Sequence, residues 1–266
     1  MITRSADYVE YCRDTARRLR NLQDLALRGK NKQALTRRVQ ERIVREVALT
    51  ADDDIVDIGC GDGTLLLLAK KAGVRSATGF HATEEESAIV RSLGVDARQG
   101  YTDSLPLADE CASVVVCNNV LLIVAREKIP ASLREIHRVA KPGARVLIGE
   151  IPFEPGPPPE PEFVTARETL AYLYRKYGLR TCLGMLRRMI YWKVTGQPMT
   201  IRYGSQVSFY AQPAEFIAMA QSAGLELIRS WQHDDPANRY NYLFRKADST
   251  ARSASNPQTD SSHPAA

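Results

Sequence analysis

The chain has 266 residues, 44% of them hydrophobic and 25% charged, a composition ordinary for a globular protein and ample for a substantial core. No stretch approaches the roughly 18 consecutive apolar residues of a membrane span. The opening MITRSADYVEYCRD lacks the apolar run of a signal peptide. The net charge of +5 is uneven: residues 1–50 hold twelve Lys/Arg against six Asp/Glu, residues 161–205 hold eight against two, and the remainder is acidic. The five cysteines, at 12, 60, 111, 117 and 182, follow no ligand spacing. They read as reduced thiols of a cytoplasmic protein, with no metal site expected.

Two helices open the chain as a cap over residues 1–50. Ser5 caps the first, and Asn31 caps the second, which places Leu35, Val39, Ile43 and Val47 on one face. Strands and helices then alternate over 51–151. DIVDI (54–58) is a strand, and TLLLLAKKAG (64–73) is a helix stopped by Gly73. SATGF (76–80) is a strand, followed by a helix over 83–94 with Thr83 as cap and acids in its first turn. VDARQ is a short strand, and SVVVCN (113–118) has the continuous apolar run of a strand buried on both faces. Pro130 starts the next helix late or kinks it, KPG ends it, and ARVLIGE (144–150) is a strand. This alternation predicts a doubly wound, mostly parallel α/β sheet. PFEPGPPPEP (152–161) introduces a helical insertion over 152–205 that interrupts the sheet. The core resumes over 206–247 with a helix at 213–224 and two strands, and residues 248–266 have the composition of a disordered tail.

The chemistry concentrates in IVDIGCGDG (55–63), a glycine-rich loop between the first strand and its helix, where doubly wound sheets bind ligands. Nucleoside triphosphates require GxxxxGK[ST], which is absent, and dinucleotides prefer a third glycine where Thr64 stands. Asp57 precedes the loop by two residues; its carboxylate would repel a pyrophosphate and attract a cation. S-adenosylmethionine, with an ammonium, a sulfonium and no phosphate, suits it.

Together with SLPLADECASVVVCNNVLL (104–122), REIHRVAKPGARVLIGE (134–150) and SFYAQPAEFIAMAQSAGLELIRSW (208–231), this loop resembles the class I S-adenosylmethionine-dependent methyltransferases, in particular their small-molecule branch. The resemblance spans roughly 50–151 and 206–246. It implies a Rossmann-like fold and a cofactor site built from Asp57, Gly59, Cys60, Gly61, Gly63 and Asn118. His81 stands where the family usually has a ribose-binding acid, and Tyr101, Thr102 and Asp103 stand where an acid usually meets the adenine. The Phe-Asp pair usual before the fourth strand is replaced by Ala112-Ser113, and Ile123 stands where related enzymes carry a histidine.

No general base is evident. His137 reads as structural, His263 lies in the tail, and His233, in WQHDD, reads as a solvated loop residue near the pocket mouth. Tyr8, Tyr11, Tyr203 and Tyr210 lie on segments that would cover the site. The expected function is methyl transfer to a small molecule, anionic or linked to a lipid or sugar. The basic insertion offers peripheral contact with a lipid surface through MLRRMIYWKV (185–194). Two alternatives stand beside it: a non-catalytic binding or scaffold protein of the same fold, and an RNA methyltransferase, although no nucleic-acid-binding signature appears.

Overall fold

The computed structural model describes residues 33–153, 209–233 and 239–247, with single helical positions at 174, 179, 183 and 194. The first expected helix, most of the insertion and the tail lie outside the described residues. The chain divides into two compact units, one of Met1–Glu154 with Ser205–Ala266 and the other of Pro155–Gly204. Of the second unit, Tyr174, Leu179, Leu183 and Val194 are described, and all four are exposed.

Helix α1 (Gln33–Glu46) leads into a sheet whose strands alternate with helices: β1 (Asp54–Ile58), α2 (Thr64–Ala72), β2 (Ser76–His81), α3 (Glu84–Arg91), β3 (Asp96–Gln99), β4 (Ala112–Asn118), α4 (Ile129–Val139) and β5 (Ala140–Pro152). After the insertion come α5 (Pro213–Ser222), β6 (Leu225–Gln232) and β7 (Arg239–Lys246). The strand order is β3-β2-β1-β4-β5-β7-β6. The first five strands run parallel, and β7 pairs antiparallel with both β5 and β6. The mostly parallel, doubly wound sheet read from the sequence is therefore present.

Its local punctuation follows ordinary chemistry. Gly73 ends α2 in the left-handed conformation, its N–H reaching Ala69 and Lys70 carbonyls. Thr83 and Glu86 form a capping box on α3: the Thr83 hydroxyl accepts from the Glu86 N–H and donates to the Glu86 carboxylate at 2.8 Å. Pro130 lies in the first turn of α4, where its missing N–H costs nothing, so it starts the helix and does not kink it. One boundary differs from expectation. β5 begins at Ala140, not 144, because KPG is absorbed as a bulge between the Ala112 and Val114 pairings.

One face of the sheet packs under α4 and α5, where Leu133, Ile136 and Phe216 meet Val115, Ile148 and Tyr242. The other packs under α1 and α2, where Ile43, Val47 and Leu65 meet Ile55, Val116 and Leu147. The foot of α1 is fastened: Arg145 donates to the carbonyls of Val47 and Ala48 and pairs with buried Asp53. Ser113 joins the same latch, donating to Asp53 at 2.7 Å and accepting from the Asp54 N–H at 2.9 Å. Burial raises the Asp53 pKa, but the hydrogen bonds from Ser113, Thr50 and Arg145 outweigh it and leave the carboxyl below its ordinary value.

Candidate active site

Strand β1 ends in Asp57, and side chains alternate along a strand, so Asp57 shares the face of Ile55, under α1 and α2. It is buried, and no side-chain hydrogen bond reaches it among the described residues. Burial, with a smaller contribution from Asp62, pushes its pKa up to about 7. The chain then turns through Gly59, Gly61 and Gly63, with φ of +77°, +55° and +76°. The Phe80 carbonyl takes the N–H groups of Gly59 and Cys60 at 2.8 and 3.1 Å, which ties the turn to β2.

The three glycines are required for different reasons. A Cβ on Gly59 would collide with the Val120 side chain, and one on Gly63 would lie 2.9 Å from Val90. A Cβ on Gly61 would meet nothing within 4 Å. The fold thus fills the space beside the first and third glycines and leaves the middle one open. Cys60 is buried and its thiol pKa is driven far up by burial, so it is a packing residue and not a nucleophile.

His81, at the carboxyl end of β2, is also buried. Its Nε2 lies 3.0 Å from the Gly61 carbonyl oxygen, which only accepts, so Nε2 carries the proton. Its Nδ1 lies 3.8 Å from the Glu86 carboxylate. Burial lowers the imidazole pKa, against the opposing pull of Glu86 and the Gly61 hydrogen bond. Beyond β3, Tyr101 is exposed and paired by its backbone to Ser104. Thr102 shares a hydroxyl hydrogen bond with Ser132 at 2.8 Å, and Asp103 accepts from Lys128 at 2.9 Å. The Tyr101 hydroxyl accepts a hydrogen bond from Gln99 Nε2 at 3.5 Å.

A second polar cluster gathers at the carboxyl ends of β4 and β5. Glu150 is 2% exposed and sits at φ +60°, as does Asn119. Left-handed conformations in non-glycine residues are costly and concentrate at functional sites. The Arg239 guanidinium donates to Glu150 at 2.6 Å and to Asn119 Oδ1 at 2.7 Å. Asn118 donates to the other Glu150 oxygen at 3.4 Å, and His233 Nε2 stands 3.8 Å from that same oxygen. Beside this cluster, a groove of about 250 Å³ runs between α1 and the sheet. Arg38, Val39 and Arg42 form its α1 wall, and Leu147, Trp231 and His233 lie opposite. Asn118 also lines it.

Residues 56–148 match the methyltransferase domain family. Among solved structures, the magnesium protoporphyrin IX methyltransferase of Synechocystis, crystallised with S-adenosylhomocysteine, superposes with TM-score 0.52 at 13% identity, covering 80% of this chain and 84% of that one. A [4+2]-cyclase superposes with TM-score 0.57 at 15% identity, covering 81% and 82%. At such identities these likenesses establish the fold and not the chemistry, as the cyclase illustrates. The chain is also 31% identical over 199 residues to the ubiquinone/menaquinone biosynthesis C-methyltransferase of Rubrivivax gelatinosus, across 73% of this chain and 70% of that protein. The chain belongs to the class I S-adenosylmethionine-dependent methyltransferases.

The residues present fit the methyltransferase cofactor. A buried carboxylate that takes no hydrogen bond from the described residues suits the cofactor's ammonium, and the open space at Gly61 suits close approach of a ligand to the backbone. The sequence drew attention to Asp57, the three glycines and His81, and the fold brings them together. Of the polar cluster at the carboxyl ends of β4 and β5 it named Asn118 alone as a site residue. Glu150 carried no signal beyond ending a strand, and its partners come from β4, β7 and the residue that follows β6. Reading His233 as a solvated loop residue is corrected: its side chain is 14% exposed and faces a buried carboxylate. His137 packs against Gly224, in keeping with a structural role. Of the four covering tyrosines only Tyr210 is described, and it is exposed, its carbonyl accepting from Arg126. No helix among the described residues is long and apolar enough to cross a membrane, and no group of three His, Cys, Asp or Glu among them is placed to hold a metal.

Proposed function

We propose that this methyltransferase modifies an anionic small molecule with an apolar body, linked to a lipid or a sugar. The groove under α1 carries the reading: two arginines one helical turn apart line a wall that faces Trp231 and Leu147. Arg42 lies 5.7 Å from the Trp231 ring centroid, so charge and apolar surface adjoin. The exposed apolar side chains at 174, 179, 183 and 194, in a segment carrying eight Lys/Arg against two Asp/Glu, support a lipid-linked acceptor and contact with a lipid surface. The relative named for ubiquinone and menaquinone biosynthesis likewise acts in small-molecule biosynthesis.

On the cofactor side, Asp57 holds the ammonium, Gly61 admits the amino-acid portion, and Tyr101 borders the adenine. His81 Nδ1 and the Glu86 carboxylate, 3.8 Å apart, are adjacent acceptors suited to the two hydroxyls of a ribose. When bound, S-adenosylmethionine supplies an electrophilic methyl group, and the protein's task is to align the acceptor and exclude water. The test is to incubate the full chain with radiolabelled methyl donor and fractionated cell extract. Label should enter organic-extractable compounds retained by an anion exchanger. Label confined to RNA, protein or neutral water-soluble compounds would overturn the reading.

A further inference from the structure

We infer that Arg239 is a positioning residue of the cofactor site. Through Asn119 it holds Val120 against Gly59, and so sets affinity for the methyl donor from β7, three places from β1 in the sheet. The inference is independent of the acceptor proposed above.

The chain leaves β4 at Asn118, and the next two residues decide where it goes. Asn119 takes a left-handed backbone at φ +60°. Its N–H donates to the Gly149 carbonyl at 3.0 Å, and its Oδ1 accepts from the Arg239 guanidinium at 2.7 Å. Val120 follows, with φ −118° and ψ −50°. Its side chain fills the space beside Gly59, where a Cβ would collide with it. The Gly59 N–H donates to the Phe80 carbonyl at 2.8 Å. The first glycine of the cofactor loop is thus held by β2 at its amide and by Val120 over its α-carbon.

Asparagine is enriched among left-handed residues but, unlike glycine, carries a steric penalty there. Arg239 supplies the hold that offsets it. The same guanidinium nitrogen that reaches Asn119 donates to Glu150 at 2.6 Å. Glu150 is buried, so moving the guanidinium away would strip a carboxylate in the core of its cationic partner. The ion pair fixes the donor, the donor fixes Asn119, and Asn119 fixes the direction in which Val120 projects. Glu150 is left-handed as well, at φ +60°, so the strained exits of β4 and β5 meet on one side chain.

A loop shaped before its ligand arrives loses less freedom on binding, and so binds more tightly. Val120 shapes the loop at Gly59 while the space at Gly61 stays clear. Releasing Val120 therefore costs affinity although the loop residues themselves are unaltered.

Two comparisons test this by calorimetry of the full chain with S-adenosylhomocysteine. The first leaves the ion pair intact. Asn119→Gly adopts φ +60° freely and should bind within about threefold of wild type, whereas Asn119→Ala, lacking both the acceptor and the tolerance for that conformation, should bind at least about tenfold more weakly. Equal affinities for the two variants would overturn the inference. The second removes both charges together, as Arg239→Met with Glu150→Gln, so that no buried charge is left unpaired. This variant should also lose at least about tenfold, and adding Asn119→Gly should return it to within about threefold of wild type. An arginine with a merely structural role is not rescued by a glycine at another position, so a loss that Asn119→Gly leaves in place overturns the inference too. If the charge-free variant does not fold by thermal unfolding, the two Asn119 variants decide the case. The nuclear Overhauser effect between the Val120 methyls and the Gly59 α-protons reads the contact without ligand. It should weaken in Asn119→Ala and persist in Asn119→Gly, and its loss at unchanged affinity would sink the proposed link.

Discussion

His81 donates its Nε2 proton to the carbonyl oxygen of Gly61, 3.0 Å away, and so clamps the end of β2 to the middle of the cofactor loop. A carboxylate, usual at this position in the family, could not do so: it has no proton to donate at neutral pH and would stand beside Glu86. His81→Asp should therefore weaken S-adenosylhomocysteine binding by about tenfold or more, the cost of a like-charged, unsatisfied buried pair. His81→Asp combined with Glu86→Gln should recover part of the loss. Titration calorimetry reads both, and an Asp variant that binds as tightly as wild type would remove the clamp from the account.

Asp57 ties cofactor affinity to pH. Its carboxyl, at about 7 in the unliganded fold, is protonated below neutrality, and holding an ammonium requires it ionised. Binding between pH 5 and 7 should therefore release a proton, with affinity rising up to about tenfold per pH unit and levelling above 7. Above about 8 the amino group of the ligand loses its charge and affinity should fall again. Asp57→Asn should flatten the acidic limb. Isothermal titration in buffers of different ionisation enthalpy measures the proton count directly.

The same carboxyl limits stability. Its pKa is raised by folding, so the protonated form is favoured in the fold. The stability it contributes is complete below about pH 4 and lost as pH rises through 7. Asp57→Asn should accordingly raise the melting temperature of the unliganded protein at pH 8 by at least about 3 °C, at roughly 2–4 °C per kcal/mol for a chain of this size, while cofactor affinity at that pH is weakened. A melting temperature below wild type at pH 8 would contradict the assignment.

Gly59 and Gly61 should behave differently although both have positive φ. Gly59→Ala drives a methyl group into Val120 and should cost about 2 kcal/mol or more of stability. Gly61→Val enters open space and bears only the backbone penalty of about 1–2 kcal/mol. Its far-ultraviolet circular dichroism should stay native while S-adenosylhomocysteine affinity falls at least tenfold. Unaltered affinity would show that no ligand occupies that space.

Ser113 departs from the family pattern without touching the site. It belongs to the latch at the foot of the sheet, and Ser113→Ala should cost about 1–2 kcal/mol by urea unfolding, because Asp53 and the Asp54 N–H each lose a partner. Cofactor affinity should be unchanged.

These cases mark what a sequence exposes. The cofactor half is written in consecutive residues: Asp57 through Gly63 form one turn, and Thr83 and Glu86 one capping box, so local chemistry identifies both. The groove and the adjoining polar cluster join Arg38, Asn118, Glu150, His233 and Arg239 from separate stretches of chain, and nothing local marks Glu150 as buried or Asn119 as left-handed. His233 is an ordinary loop residue until β7 inserts between β5 and β6. Ala112-Ser113 looked like erosion of a motif because the partner of Ser113 lies sixty residues earlier, at Asp53.

Arg145 grips only the two residues that follow α1, Val47 and Ala48, while the arginines that line the groove sit one and two turns higher on that helix. If the groove takes the acceptor as proposed, donor and acceptor recognition are inherited on different stretches of chain: Asp57–Gly63 for one, a single helix standing on a fixed heel for the other. A new acceptor preference can arise by exchanging side chains at 38, 39 and 42 alone, without disturbing the turn that carries the methyl donor. Grafting those three positions from one member onto another is accordingly a direct route to altered selectivity at unchanged cofactor affinity.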